Sequence, residues 1–193
     1  MEGIRLTARA IALPVLGAVA LVGCGGGQRQ DADEPSGTFS VRVQNASFPT
    51  HQRLAEPTRM RMTVLNTGHE TVPNVAVSVD AFSYDSQQPG LADPQRPVWI
   101  VNVGPRAGDT AYVSTWALGP LRPGERRTFV WHVTPVLAGQ HTVHWRVAAG
   151  LNGKAHAVVA GNRPPEGQFV VRISSRPAQA TVDPKTGAVV RSG

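Results

Sequence analysis

The chain has 193 residues, a net charge of +6, and one cysteine. That length holds one domain with a sizeable core, and a solitary cysteine excludes an intramolecular disulfide framework. The positive charge is almost all arginine, since lysine occurs only at Lys154 and Lys185.

Residues 1–9 carry Arg5 and Arg9 against Glu2 and lead into an apolar run from Ala10 to Val22. This is the layout of an export signal. The run is shorter than the roughly 20 residues a membrane-crossing helix needs, and Pro14 interrupts it. Leu21-Val22-Gly23-Cys24 follows. Those four residues resemble the lipobox of bacterial lipoprotein precursors, and the resemblance covers only this N-terminal region. It implies cleavage between Gly23 and Cys24 and a diacylglyceryl group on the Cys24 thiol. A lone cysteine in an exported chain, where disulfides persist, is better explained as an attachment point than as a core residue. Acyl chains stabilise membrane attachment by about 0.8 kcal/mol per buried methylene, so two or more give a lasting anchor. Residues 1–23 are thus expected to be a signal peptide. Its loss removes Glu2, Arg5 and Arg9, which sum to +1, and leaves +5.

Residues 24–37 open on Gly25-Gly26-Gly27 and contain Gln, Asp, Glu, Pro and Ser. This composition predicts a flexible tether spanning about 20 Å. Asp31, Asp33 and Glu34 are expected to be solvated there.

From Thr38 to about Ser174 the composition turns to β-branched and aromatic residues in period-two alternation. Phe39, Val41 and Val43 predict a first strand, Met60, Met62 and Val64 a second, and Val75, Val77 and Val79 a third. Ser83 to Pro97, with three prolines, predicts a long loop. Val98 to Val103 is an apolar strand, and a polar loop leads to a strand over Tyr112 to Leu118 whose inward face is ambiguous. Pro120-Leu121-Arg122-Pro123-Gly124-Glu125 is turn chemistry, with Gly able to take positive φ. Alternating strands follow at Phe129/Trp131/Val133, Val143/Trp145/Val147, Ala155/Ala157/Val159 and Phe169/Val171/Ile173. Strands at this spacing predict an all-β, single antiparallel immunoglobulin-like sandwich over 38–174. Residues 175–193 are expected to be a tail, with Ala188-Val189-Val190 able to add a short edge pairing.

Two patches add a resemblance. Val64-Leu65-Asn66-Thr67-Gly68 with Thr71-Val72-Pro73-Asn74-Val75-Ala76-Val77, and Leu121-Arg122-Pro123-Gly124-Glu125, look like hairpin and turn motifs of bacterial cell-adhesion-related immunoglobulin-like domains. The resemblance implies the same sandwich. The long loop over 83–97 departs from the compact family pattern.

Catalytic signatures are sparse. No Gly-x-Ser-x-Gly nucleophile turn occurs. Asp85, Asp93 and Asp109 lack calcium-loop spacing, and no phosphate-cradling glycine loop stands between a strand and a helix. Asn45-Ala46-Ser47 fits a glycosylation sequon, but a bacterial-type signal argues against its use. If consecutive strands pair in the simplest registers, His132, His144 and His156 share the face opposite Trp131 and Trp145, where cross-strand neighbours sit about 5 Å apart. They are the weak candidates for a metal site, and the bland alternative is a solvated polar face. Arg122, Arg126 and Arg127 cluster at a turn and could touch anionic lipid or wall polymer. Export argues against a nucleic-acid partner.

The expectation is therefore a non-enzymatic lipoprotein of the bacterial cell envelope, held to the membrane at Cys24 and without a cofactor, presenting the sandwich to an envelope protein or an anionic polymer. Sandwich folds place ligand contacts on end loops. This makes Tyr84, Asp85, Gln87, Arg96, Arg106 and Asp109 the binding candidates. The alternative is a structural subunit that joins an envelope complex through a sheet edge. A histidine-based metal carrier stands third.

Overall fold

The computed structural model describes residues 33–84, 97–176, 179–182, 185–186 and 189–192. Cys24, Asp85, Gln87 and Arg96 lie outside the described residues, as do the leader and most of the tether.

The described chain is strands and turns: β1 Gly37–Ser47, β2 His51–Arg53, β3 Thr58–Asn66, β4 Ala76–Val79, β5 Phe82–Tyr84, β6 Trp99–Val103 and β7 Thr115–Ala117. There follow β8 Arg126–Pro135, β9 Gly139–Ala148, β10 Ala155–Val158, β11 Glu166–Ser174, β12 Gln179–Val182 and β13 Val189–Ser192. One sheet runs β10-β1-β3-β8-β6-β5, the facing sheet runs β2-β11-β9-β4-β7, and β12 pairs with β13 alone. The long central pairings are antiparallel, while the short strands β10, β2 and β5 join in parallel at the edges. This is an all-β immunoglobulin-like sandwich.

The period-two alternation explains the core. Phe39 and Val41 of β1, Met60, Met62 and Val64 of β3, and Phe129, Trp131 and Val133 of β8 are all buried, while the residues between them face water or the rim. Val143 and Val147 of β9 and Val171 and Ile173 of β11 meet them from the other sheet. Phe48, Phe82, Trp99, Trp116, Trp131 and Phe129 bridge the layers. Phe82 lies edge-on to Trp131 at 6.3 Å, Trp116 edge-on at 5.6 Å, and Phe129 stacks on it at 5.7 Å. Each fully buried ring of this kind contributes about 1.5–3 kcal/mol by leaving water, and edge-to-face contacts add to that.

The two motif patches meet through one side chain. Asn66 is buried, and its Nδ2 donates to the carbonyls of Glu70 and Leu121, both at 2.8 Å, while its Oδ1 accepts the Gly68 N–H at 2.9 Å. Gly124 takes φ 73°, and its N–H donates to the Asn66 carbonyl at 3.0 Å. The loop after β3 and the turn before β8 are thereby stapled together.

Several expectations are corrected. The strand predicted over Tyr112–Leu118 shrinks to Thr115–Ala117, because Ser114 takes φ 54° and bends the chain. The inward residue is Trp116, whereas Val113 is 87% exposed. The predicted long loop begins two residues too early, since Ser83 and Tyr84 belong to β5. β2 is too short for an alternation signal and is fixed by its pairing with β11. The expected solvated tether ends early: Glu34 is held by the loop after β9. Where a tail was expected, β13 pairs with β12 rather than with either large sheet.

Candidate functional site

The β6–β7 connection and the solvent face of β4, β9 and β11 build a groove on one flank of the sandwich. Its rim is a tight turn organised by Thr110. The Thr110 hydroxyl accepts the Tyr112 N–H at 3.1 Å and donates to the Thr115 carbonyl at 2.8 Å. Ser114 closes the turn in the left-handed region. Its Oγ donates to the Phe82 carbonyl at 2.7 Å, and its carbonyl accepts the Val79 N–H at 2.9 Å. A non-glycine residue in this region is strained and persists only when its surroundings hold it. The result is that Tyr112 and Val113 project into water.

On one side of this rim a hollow of about 810 Å³ is floored by polar side chains from four strands and the turn after β4. Ser78 of β4 bonds Thr115 of β7 through their hydroxyls at 2.9 Å. Arg146 of β9 donates from Nε and Nη2 to Glu166 of β11 at 3.1 and 2.9 Å. Asp80 accepts both the backbone N–H and the Nδ1 of His144, at 2.9 and 2.8 Å. Both pairs are largely exposed, so each adds little stability and is open to exchange with a ligand's polar groups. Imidazole on carboxylate is half of a hydrolytic relay, but the Ser78 hydroxyl is bonded to Thr115 and not to His144.

On the other side a smaller hollow of about 260 Å³ shares Val113, Ser114 and Thr115 with the first. Here Tyr84 and Asp109, two of the predicted binding residues, come together. The Tyr84 hydroxyl donates to Asp109 Oδ1 at 2.5 Å and accepts from Trp116 Nε1 at 3.1 Å. Shielding from water, reinforced by the adjacent Asp109 carboxylate, pushes the Tyr84 phenol above its ordinary pKa. The residue is nevertheless 46% exposed, so the hydroxyl is anchored while part of the side chain stays available. Gly104 makes the anchoring possible, because a Cβ there would stand 2.3 Å from the Tyr84 hydroxyl.

Arg106 is exposed on the same loop, three residues before Asp109, and does not line either hollow. The three histidines do not meet. β8 and β9 are consecutive but lie in different sheets, so His132 and His144 are on opposite layers. His156, on β10, is separated from His132 by β1 and β3. Among the described residues no three His, Cys, Asp or Glu side chains gather to hold a metal ion. In the arginine cluster, Arg127 is bound to Glu125, whose Oε2 also accepts the Arg122 N–H at 3.0 Å. The Arg122 backbone contact, then the Arg127 guanidinium, hold the Glu125 carboxyl below its ordinary pKa.

Ser78, Asp80, Arg146, Glu166 and the projecting Val113 were missed by sequence reasoning, and His144 was singled out only as a weak metal candidate. They come from three strands and two turns. Only their solvent-face parity within each strand was visible in advance.

No protein-family model matches the chain, and no curated protein does. Among solved structures, the chain is similar to the CARDB (cell adhesion related) domain of a Pyrococcus furiosus protein, crystallised in complex with di-metal ions. The identity is 17% over 72% of this chain and 93% of that one, with a TM-score of 0.41. It is similar to Escherichia coli alpha-2-macroglobulin from domain MG7 to the C-terminus, at 13% identity over 78% of this chain and 21% of that one, with a TM-score of 0.44. It is also similar to a chain of the complex of Zinc 2-glycoprotein and Prolactin inducible protein from human seminal plasma. There the identity is 12% over 69% of this chain and 93% of that one, with a TM-score of 0.41.

Proposed function

We propose that the chain is a lipoprotein of the bacterial cell envelope, anchored at Cys24, whose sandwich is a non-catalytic interaction module that contacts its partner through the flank groove. The observation that carries the contact surface is the turn at 112–115: a strained Ser114 holds Val113 at 87% exposure between two hollows. An apolar side chain displayed at the cost of backbone strain, beside exposed and exchangeable polar pairs, fits a partner surface that is apolar at its centre and polar at its rim. The lipobox residues and the solitary cysteine support the anchor.

Edge pairing, the competing reading, has less to work with. The outermost strands β10, β5, β2 and β7 are three or four residues long, and short edges offer few unpaired backbone groups to another chain.

A photo-crosslinking residue at Val113, with Val103 on the β6 strand as the control, tests the surface in cells of the native host. A discrete adduct from position 113 and none from 103 is expected. The same adducts from both positions would remove the groove from consideration. Separately, Cys24→Ala should move the protein from the membrane to the aqueous fraction, and unchanged detergent partition would refute the anchor.

A further inference from the structure

The loop between β9 and β10 presents four backbone N–H groups to a single carboxylate, that of Glu34. Leu151 and Asn152 donate to its Oε2 at 2.6 and 2.9 Å. Lys154 and Ala155 donate to its Oε1 at 3.1 and 2.8 Å. Each oxygen therefore receives two donors, an arrangement in which a carboxylate is held by charge-assisted bonds in a concave array of main-chain amides.

The loop is shaped for that group. A Cβ at Gly150 would stand 2.1 Å from the Glu34 carboxyl carbon, so any other residue there would occupy the carboxylate's place. Partial burial of Glu34 raises its pKa, but the four amides outweigh burial and leave it below the ordinary value. Three residues on, the Gly37 N–H donates to the Lys154 carbonyl at 3.1 Å, and Gly37 opens the parallel ladder of β1 on β10. The same loop thus grips the chain twice, once by a side chain and once by the backbone.

We infer that residues 150–155 form a carboxylate-binding site whose resident ligand is Glu34, and that its occupancy clamps the N-terminal segment to the sandwich before β1 begins. The site would take a small carboxylate, or the side chain of an acidic peptide, wherever Glu34 is withdrawn. Its consequence for tethering rests on the anchor at Cys24, but the site does not. With the clamp closed, ten residues of advance separate Cys24 from Glu34, which limits the reach to about 35 Å even when fully extended. The direction in which the domain leaves the membrane would be set at Glu34.

The test uses the full chain, purified from whichever fraction holds it, so that a failed anchor does not spoil it. In Glu34→Ala, amide hydrogen exchange at Leu151, Asn152 and Ala155 should rise about tenfold or more, while the Lys154 N–H, which also donates to Asn152 Oδ1 at 3.0 Å, should change less. Sodium acetate should restore protection and Tm in the variant while leaving the parent unchanged, and sodium chloride at the same ionic strength should do neither. Unaltered exchange at these amides, or acetate and chloride acting alike, would overturn the inference. Should Glu34→Ala fail to fold, Glu34→Gln keeps the shape and one acceptor oxygen. Exchange should then rise at Leu151 and Asn152 or at Ala155, but not at both, and an equal rise at all three would count against the site.

Discussion

Replacing Asn66 by alanine should lower the stability of the sandwich by about 3 kcal/mol. The side chain is 1% exposed, and it makes three hydrogen bonds of 2.8, 2.8 and 2.9 Å to backbone groups of two different loops. A net value of about 1 kcal/mol for each such bond sets the scale. The penalty for stranding the freed groups is smaller than it could be. The Leu121 carbonyl still accepts the Val72 N–H at 2.9 Å, and Glu70 is exposed enough for water to reach its carbonyl. Asn66→Asp should cost at least as much, because it keeps the acceptor for Gly68 and aims a carboxylate at two carbonyl oxygens that had received N–H groups. Urea titration followed by tryptophan fluorescence reads both changes as shifts in midpoint at constant slope. A loss below about 0.5 kcal/mol for Asn66→Ala, the range of an ordinary surface substitution, would refute the staple. So would an aspartate variant milder than the alanine one.

The Tyr84 phenol, raised by burial and by Asp109, should be visible in a UV titration of Tyr112→Phe, since the chain has two tyrosines. It should ionise above the ordinary phenol pKa, and Asp109→Asn should bring it down. A group raised on folding stabilises below its unfolded pKa and loses that contribution as pH rises through the folded value, so the stability difference between the parent and Tyr84→Phe should be present at neutral pH and close as pH rises through the raised phenol pKa. Glu125 is shifted the other way by Arg122 and Arg127. Its contribution is present above the ordinary carboxylate pKa and is lost as pH falls through the lower folded value. An acid titration of parent and Glu125→Gln should therefore converge at low pH, and curves that stay parallel would count against the pairing. Gly104→Ala should displace the Tyr84 hydroxyl and abolish the high phenol pKa without unfolding the core, which a single spectrum of the buried tryptophans checks.

How far the sequence carries the fold depends on which physical signal each element leaves in the chain. β3 and β8 were legible because Met60-Met62-Val64 and Phe129-Trp131-Val133 repeat every second residue and all face one layer. β2 and β7 have three residues each, too few for a period, and exist because a neighbouring strand offers them hydrogen bonds. In the tether, polar composition predicted solvation for Glu34, yet its partners are main-chain amides of a loop more than a hundred residues away. Backbone donors have no residue type, so no sequence pattern announces them. For Tyr84 and Asp109 the expectation that end loops carry contacts led to both residues, but the hydrogen bond that joins them depends on Trp116, which the alternation around 112–118 left unassigned.

The histidines expose a more general limit. Alternation assigns a residue to the inner or outer face of its own strand, and His132, His144 and His156 were all assigned outward correctly. Whether outward residues share a surface depends on which sheet each strand joins, and a short connection does not decide that. The turn between β8 and β9 is compact enough for a hairpin, yet it carries the chain from one layer to the other. In a sandwich the two outer faces point in opposite directions. An outward pattern continued across a sheet-changing turn therefore separates side chains instead of gathering them. The same crossing places His144 beside Asp80, just after β4, and in line with Arg146 and Glu166, so the arrangement that dissolves the metal cluster also builds the polar floor of the groove. If that floor takes part in binding, Asp80→Asn and Glu166→Gln should weaken partner capture at the Val113 position together, whereas His132→Ala and His156→Ala, on the other sheet, should leave it unchanged. Equal effects from both pairs would mean that the contact surface is not the flank described here.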